Sequence, residues 1–284
     1  MGDTGGARAI RIGHSPDPDD AFMFYGLARG LVPTPGYEVT QVLRDIETLN
    51  RMALEGAIEV TAASIHAYAH LADRYALLSC GASMGDGYGP IVVTRTPATP
   101  GDLKGMTIAV PGLLTSATLA LRLALGEVRT VVLPFDRILQ AVKGGAQEAG
   151  LLIHEGQLTY GADGAGLHRV IDLGVWWKER TGLPLPLGGN IIRRDLGAPV
   201  IGAVSDFLRR SIQLGLERRE DALTYALDYG RGLRRDLADR FVGMYVNDYT
   251  LDYGPVGRRA VQTFLDAGHD AGIIPRRVDV VFEG

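Results

Sequence analysis

The chain carries a single cysteine, Cys80, among 284 residues. That excludes an internal disulfide and a cysteine-based metal cluster, and it fits a reducing compartment. A basic excess is also missing: 29 Lys and Arg stand against 33 Asp and Glu, a formal net charge of −4. Tracking a phosphate backbone needs a positive stripe, and none is visible, so nucleic acid is set aside as a partner. No uninterrupted apolar stretch approaches about 18 residues, so no membrane span is expected. The N-terminus, "MGDTGGARAIRIGHSP", has no cationic stretch leading into an apolar core; no secretory signal is read there, and the expected address is the cytoplasm. There is no Walker lysine and no G-x-G-x-x-G after a strand, which leaves nucleotide phosphate unsupported.

What is present is the composition of an ordinary globular protein, 46% hydrophobic and 22% charged, with chain enough for two domains or one large one. The first two-thirds alternates short apolar runs with amphipathic segments, the pattern of strands and helices around largely parallel sheets. "RAIRIGH" reads as a strand, and "DDAFMFYGLARG" as a helix ending at Gly30. "DIETLNRMALEG" predicts a helix capped by Asp45, with Ile46, Leu49, Met52 and Ala53 on one face and Gly56 as its stop. "IEVTAAS" is a strand leading into a helix over "IHAYAHLADRY", and "YGPIVVTRTP" a strand running into the Thr- and Pro-rich "TRTPATPGDL", an expected domain boundary. Strand and helix then alternate through "GMTIAVPG", "TSATLALRLAL", "RTVVLPF", "DRILQAVKGG" and "EAGLLIHEG". "TGLPLPLGGNIIRRDLG" suggests a return crossing, after which helical period dominates, and no fixed-period repeat occurs. Two crossings imply a two-lobed α/β protein with a discontinuous first lobe: residues 1–95 and 191–284 in the larger lobe, 96–190 in the smaller. Ligands in such proteins occupy the cleft between lobes, at the carboxyl ends of strands.

Four junctions after strands carry small hydroxyl, acidic or imidazole groups: "HSPDPDD" (14–20), "TAAS" (61–64), "PGLLTS" (111–116) and "IHEG" (153–156). Thr115 and Ser116 open a helix, where backbone N–H groups and the helix dipole favour an anion; simple capping is the plainer alternative. Ser64 has the same two readings. Asp17, Asp19 and Asp20 can cap and charge a first helical turn, or accept hydrogen bonds from sugar hydroxyls. As a calcium loop the segment lacks the spaced oxygens and the glycine, so no metal is assigned.

His154 is the sharpest candidate. An imidazole at the carboxyl end of a strand, facing a cleft, is the natural general base near neutral pH, whereas a lone histidine after an apolar run is more often structural. His14 is its rival. His66 and His70 lie four apart on a helix but have no third ligand in view, and His168 and His269 are placed in polar loops.

The segments "DIETLNRMALEG", "GYGPIVV", "LLIHEGQLTY", "WWKERTGLPLPLG" and "YVNDYTLD" together resemble the 1,4-dihydroxy-6-naphthoate synthase family of the futalosine route to menaquinone, over nearly the whole chain. The resemblance implies a periplasmic-binding-protein type II fold used as a cytoplasmic lyase, without a cofactor. Such a lyase splits cyclic dehypoxanthine futalosine into the dihydroxynaphthoate and dihydroxyacetone. It places the family's base on His154, its paired hydroxyl residues on Thr115 and Ser116, and its other binding stretch on Ala62, Ala63 and Ser64. Two loops depart from the family pattern. Its S-P-C-P-N-D reads Ser15-Pro16-Asp17-Pro18-Asp19-Asp20 here, and its T-K-L-S reads Thr61-Ala62-Ala63-Ser64, without the lysine. The expected partner is a small-molecule carboxylate. A solute-binding protein or ligand sensor of the same fold, and the chorismate-dehydratase branch of the pathway, are the alternatives. Oligomeric state is not legible.

Overall fold

The computed structural model describes residues 6–161 and 166–284. In chain order the large lobe opens with β1 (Arg8–His14), α1 (Pro18–Ala28), β2 (Tyr37–Leu43), α2 (Ile46–Leu54), β3 (Val60–Ser64), α3 (Ile65–Tyr68), β4 (Tyr75–Leu78) and β5 (Ser83–Gly85). The small lobe follows with β6 (Ile91–Thr94), β7 (Thr107–Val110), α4 (Ser116–Leu125), β8 (Arg129–Val132), α5 (Phe135–Lys143), β9 (Ala149–Leu152), α6 (Gly156–Thr159), β10 (His168–Asp172) and α7 (Leu173–Thr181). The chain then returns through β11 (Leu185–Arg193) to α8 (Ala198–Glu217), α9 (Arg219–Leu227), α10 (Arg235–Tyr245), α11 (Asp248–Leu251), α12 (Gly254–Asp270) and β12 (Phe282–Glu283).

Each lobe is built on one sheet. The larger has the order β12-β4-β11-β3-β1-β2, with β5 also on β11; the smaller has the order β10-β6-β9-β7-β8. Parallel pairs (β1 with β2 and β3, β7 with β8 and β9) come from strand–helix–strand units. The return strand β11 runs antiparallel to β3, β4 and β5, and β6 runs antiparallel to β9 and β10. Strands buried on both faces read as continuous apolar runs: Val60–Ser64, Tyr75–Leu78, Ile91–Thr94 and Ala149–Leu152 are buried throughout. Helices cover the faces. Trp177 of α7, 1% exposed, packs edge-on against Phe264 of α12 and donates its indole N–H to the Pro184 carbonyl at 3.2 Å, satisfying its polar handle inside the core.

The local signals explain where elements start and stop. Asp45 caps α2 by accepting from Thr48 N at 3.1 Å, and Gly56 takes φ of 71° beyond its end. The expected helix over "IHAYAHLADRY" is confined to Ile65–Tyr68, with turns following, because the chain must reverse to start β4. The strand at "IVVT" pairs with β9 and β10 in the small sheet, so the chain crosses between Gly85 and Ile91, ahead of the Thr- and Pro-rich stretch. The return likewise falls between α7 and β11, so residue 190 lies within a large-sheet strand.

At these crossings the backbones touch. A Cβ on Gly174 would overlap the Tyr88 carbonyl and press on the Gly89 amide, main-chain atoms that cannot swing aside. Gly174→Ala is therefore expected to destabilise the protein by about 1–3 kcal/mol, the usual cost of overpacking. A denaturant melt checks it, and an unchanged midpoint would show that the crossing can relax.

Candidate active site

The two sheets present their carboxyl ends to one cleft enclosing about 710 Å³, mouth included. Ser15 lines it from the β1–α1 connection, Asp19 and Asp20 from the first turn of α1, Ala62, Ala63 and Ser64 from β3, Thr115 and Ser116 from the start of α4, and His154 and Gln157 from beyond β9. Leu187, Asn190 and Tyr245 also face it, and no Lys or Arg does among the described residues.

Strand β9 ends at Leu152, two residues short of the histidine. His154 itself sits in the left-handed region with φ of 51°, a conformation that costs a non-glycine residue on the order of 1 kcal/mol and is kept where surroundings impose it. Three neighbours impose it here. Gln157, with its amide turned to satisfy both ends, accepts from His154 N at 3.2 Å and donates to the Gly89 carbonyl at 2.6 Å. Phe135, at the start of α5, packs edge-on to the ring at 4.9 Å. Across the cleft, Asp17 Oδ2 takes His154 Nδ1 at 3.0 Å, which leaves Nε2 as the nitrogen available to a ligand.

The acidic loop is an ordered cluster. Asp17 holds the N-cap position of α1, but its side chain makes no capping bond; it accepts from Ser15 Oγ at 2.8 Å and from His154. Asp20 accepts from Ser15 N at 2.7 Å. Burial alone would raise the Asp17 carboxyl, yet the charge and hydrogen bond of His154, with bonds from Asp19 and Ser15, hold it below the usual carboxylate range. Asp19 is driven the other way, by burial first and then by the charges of Asp17 and Asp20. Asp20 is pushed up to about 6 by burial and the Asp17 charge. For His154, burial disfavours the charged ring, but Asp17, followed by Glu155 and Asp20, raises its pKa overall. Asp17, Asp19 and His154 offer donor atoms within 4.8 Å of one another, a spacing that a cation could use. The bonding favours a proton there instead, since His154 Nδ1 and Asp17 Oδ2 are already each other's partners.

The other expected residues separate by role. The Thr115 hydroxyl is a cap: it donates to the Gly112 carbonyl at 2.9 Å and accepts from Thr118 N at 3.3 Å. Ser116 Oγ donates across the cleft to the Leu187 carbonyl at 2.6 Å and accepts from His66 N at 3.2 Å. The N–H groups of Ser116 and Ala117 find no acceptor among the described residues, so the first turn of α4 still offers donors beside both side chains. Ser64 is fixed by buried Asn50, which donates to Ser64 Oγ at 3.1 Å and accepts from Ser64 N at 2.9 Å. His14 stacks flat on Phe24 at 4.2 Å and contacts the Ser15 carbonyl and Gln41, which is the structural reading. His66 is packed beneath α4, and burial lowers its pKa to about 4. His168 begins strand β10 and His269 lies in the last turn of α12, rather than in loops.

Two groups escape a sequence reading. Asn190 of β11, 2% exposed, lines the cleft with Nδ2 unpartnered, a donor without an acceptor of its own. Arg231, between α9 and α10, has φ of 48°. It pairs with Glu155 at 3.0 Å, donates to the Pro16 carbonyl at 3.0 Å and lies 4.8 Å from the centre of the Phe135 ring. One arginine thus ties the acidic loop to the segment that carries the histidine.

Fold and cleft define a two-lobed α/β protein of the periplasmic-binding-protein type II architecture. The alkanesulfonate-binding protein SsuA of Xanthomonas axonopodis pv. citri shares that fold, with a TM-score of 0.70 at 16% identity and 96% of each chain covered. A family described as "Menaquinone biosynthesis" matches residues 10–270. The 1,4-dihydroxy-6-naphthoate synthase of Thermus thermophilus is 46% identical over 93% of this chain and 96% of its own. That of Streptomyces coelicolor is 38% identical over 95% and 96%. The crystal structure of protein AF1704 from Archaeoglobus fulgidus superposes with a TM-score of 0.89 at 48% identity, covering 94% of this chain and 98% of that one. The chain belongs to the menaquinone-biosynthesis family, among lyases of the 1,4-dihydroxy-6-naphthoate synthase type.

If Arg231 keeps the site in shape by tying the acidic loop to the His154 segment, Arg231→Gln should raise KM by roughly tenfold and leave the melting temperature nearly unchanged, because a partly exposed ion pair is worth only about 0–1 kcal/mol to folding. Steady-state kinetics beside a thermal melt decide it; a lower melting temperature with KM unaltered would make Arg231 a fold residue only.

Proposed function

We propose that the protein cleaves a carbon–carbon bond of cyclic dehypoxanthine futalosine, releasing 1,4-dihydroxy-6-naphthoate, with His154 as general base, and that it works in the cytoplasm. No described helix is long and apolar enough to cross a membrane. The observation that carries the mechanism is the Asp17–His154 hydrogen bond: it engages Nδ1 with the carboxylate and leaves Nε2 of this cleft-lining residue for the substrate.

The cleft offers two kinds of group. The first-turn N–H groups of α4, Ser64 and the unpartnered Asn190 amide are all neutral donors suited to the substrate carboxylate beside Thr115 and Ser116. Ala62 and Ala63 form the wall there, so hydrogen bonds and the helix dipole do the work that the family lysine would share. Asp19, Asp20 and Ser15 are the acceptors for the sugar-derived portion, whose hydroxyls are natural donors to them. His154 Nε2 removes a hydroxyl proton from that portion. The oxygen's electrons form a carbonyl as the carbon–carbon bond breaks, and the bond pair passes into the bicycle, which becomes aromatic. Proton transfer and aromatisation carry the step, so the reaction as written calls on no cofactor.

A binding protein without chemistry would gain nothing from a strained, carboxylate-paired histidine at the ligand. Replacing His154 by Gln keeps a hydrogen-bonding side chain but removes the base. The expected result is ligand affinity within a few-fold of the parent and kcat lower by about 10²–10⁴, the usual worth of positioned acid–base catalysis. The assay follows the naphthoate chromophore. Turnover near the parent rate in the variant would return His154 to a structural role.

A further inference from the structure

The strand pair β3–β11 carries a polar group that the fold leaves unused. The antiparallel register sets Asn190 directly opposite Ala62 and Gly188 opposite Ser64, so the four share one face of the large sheet, and all four line the cleft. Ser64 is engaged by Asn50 through both its hydroxyl and its backbone N–H. Asn190, 2% exposed, has no such tie: its Nδ2 meets no acceptor among the described residues. Gly81, at φ of 83°, makes room for the amide, since a Cβ on it would overlap Asn190 Nδ2. Opposite the amide Ala62 brings only a methyl group, and among the described residues no Lys or Arg lines the cleft to compete for an anion. A buried amide left unpaired weakens a fold, and a ligand that pairs it removes the cost.

We propose that Asn190 is a specificity-determining residue: facing Ala62 across the strands, its amide reads the carboxyl group of the bicycle by neutral hydrogen bonding rather than by charge. This rests on the function proposed above and adds the selectivity of that same site. An amide carries a donor and an acceptor, and a half-turn about its last side-chain bond exchanges them without changing its shape. With Nδ2 unbonded, that turn breaks nothing at that end. Asn190 can therefore donate to a carboxylate, or pair donor to acceptor with a carboxamide. A ligand with only hydrogen at that position satisfies neither end. Such a site rejects the ligand that lacks the group, because the buried amide then stays unpaired. It separates the charged group from its neutral counterpart far less, since the dipole of α4 adds only a small preference for the anion.

Calorimetry without oxygen tests this with three probes: 1,4-dihydroxy-6-naphthoate, its 6-carboxamide, and 1,4-dihydroxynaphthalene. The parent is expected to bind acid and carboxamide within about tenfold of each other, and dihydroxynaphthalene at least about tenfold more weakly than either. Asn190→Leu, close to Asn in size, should weaken acid and carboxamide by about tenfold each and bind dihydroxynaphthalene as tightly or more tightly. Its melting temperature should not fall, because Nδ2 gives the fold no hydrogen bond to lose. Asn190→Ala repeats the comparison with a side chain that fits in any case. Ala62→Lys should favour the acid over the carboxamide by about a further 10- to 100-fold, the worth of a charged partner. A parent that rejects the carboxamide by about a hundredfold overturns the proposal, because charge is then what is read. Unaltered acid affinity in both Asn190 variants overturns it too, as does equal weakening of all three probes with a lower melting temperature. An Ala62→Lys variant with no gain for the acid overturns it by placing the carboxyl group elsewhere. A parent that binds no probe and leaves cyclic dehypoxanthine futalosine intact overturns the proposed function and this selectivity with it. Any of the earlier adverse results in a parent that cleaves that substrate overturns the role of Asn190 alone.

Discussion

The site depends on one hydrogen bond between lobes. Asp17 comes from the large lobe, just after β1, and His154 from the small lobe, just after β9; their 3.0 Å contact joins the two sheets across the cleft. Neither group would be in its working state alone. Without the carboxylate, burial would push the imidazole toward a weak, neutral base, and without the imidazole, burial would protonate Asp17. Bringing the lobes together therefore does more than enclose a ligand. In the proposed mechanism it creates the base.

The same contact organises what lies around it. Ser15 bonds to both Asp17 and Asp20, and Asp19, buried beside them, is held above the usual carboxylate range by burial first and then by the charges of Asp17 and Asp20. Further bonds run between the lobes beside it: Arg231 to Glu155, Tyr245 to Gln157, and Ser116 to the Leu187 carbonyl. Each is modest alone. In a binding-protein fold, where two lobes meet around a ligand, such bonds set the geometry of the enclosed space. That is how an architecture shared with the sulfonate-binding protein SsuA can serve catalysis here.

Much of this was legible in the residues. Apolar runs and helical period located β1, α2, β3, β7, α4, α5, β9 and the C-terminal helices, because burial on both faces of a strand and on one face of a helix leaves a direct imprint on composition. The strand–helix pair β10 and α7 left a poor one: β10 is an irregular edge strand whose register shifts between Arg169 and Ile171. The crossings were misplaced because a Pro- and Thr-rich stretch marks a loop, whereas strand pairing decides the lobe, and pairing is non-local. His154 stood out by its place after a strand. Its left-handed backbone did not, and neither did its partner: the Asp-rich loop reads as helix capping, and only the third dimension brings Asp17 to the ring. Asn190 and Arg231 sit in a strand and a loop of unremarkable sequence, and geometry alone distinguishes them.

The central claim is that Asp17, reaching across the cleft, sets the basicity of His154. The most direct test is the pH dependence of kcat/KM for the parent and for Asp17→Asn. Catalysis needs the neutral ring, so kcat/KM should climb with pH through the raised pKa of His154, on the alkaline side of the ordinary imidazole value of about 6.5. With the carboxylate replaced by an amide, burial remains and the stabilising charge does not, so that acidic limb should move to lower pH while the plateau falls. An acidic limb that stays in place, or moves to higher pH, would contradict the account.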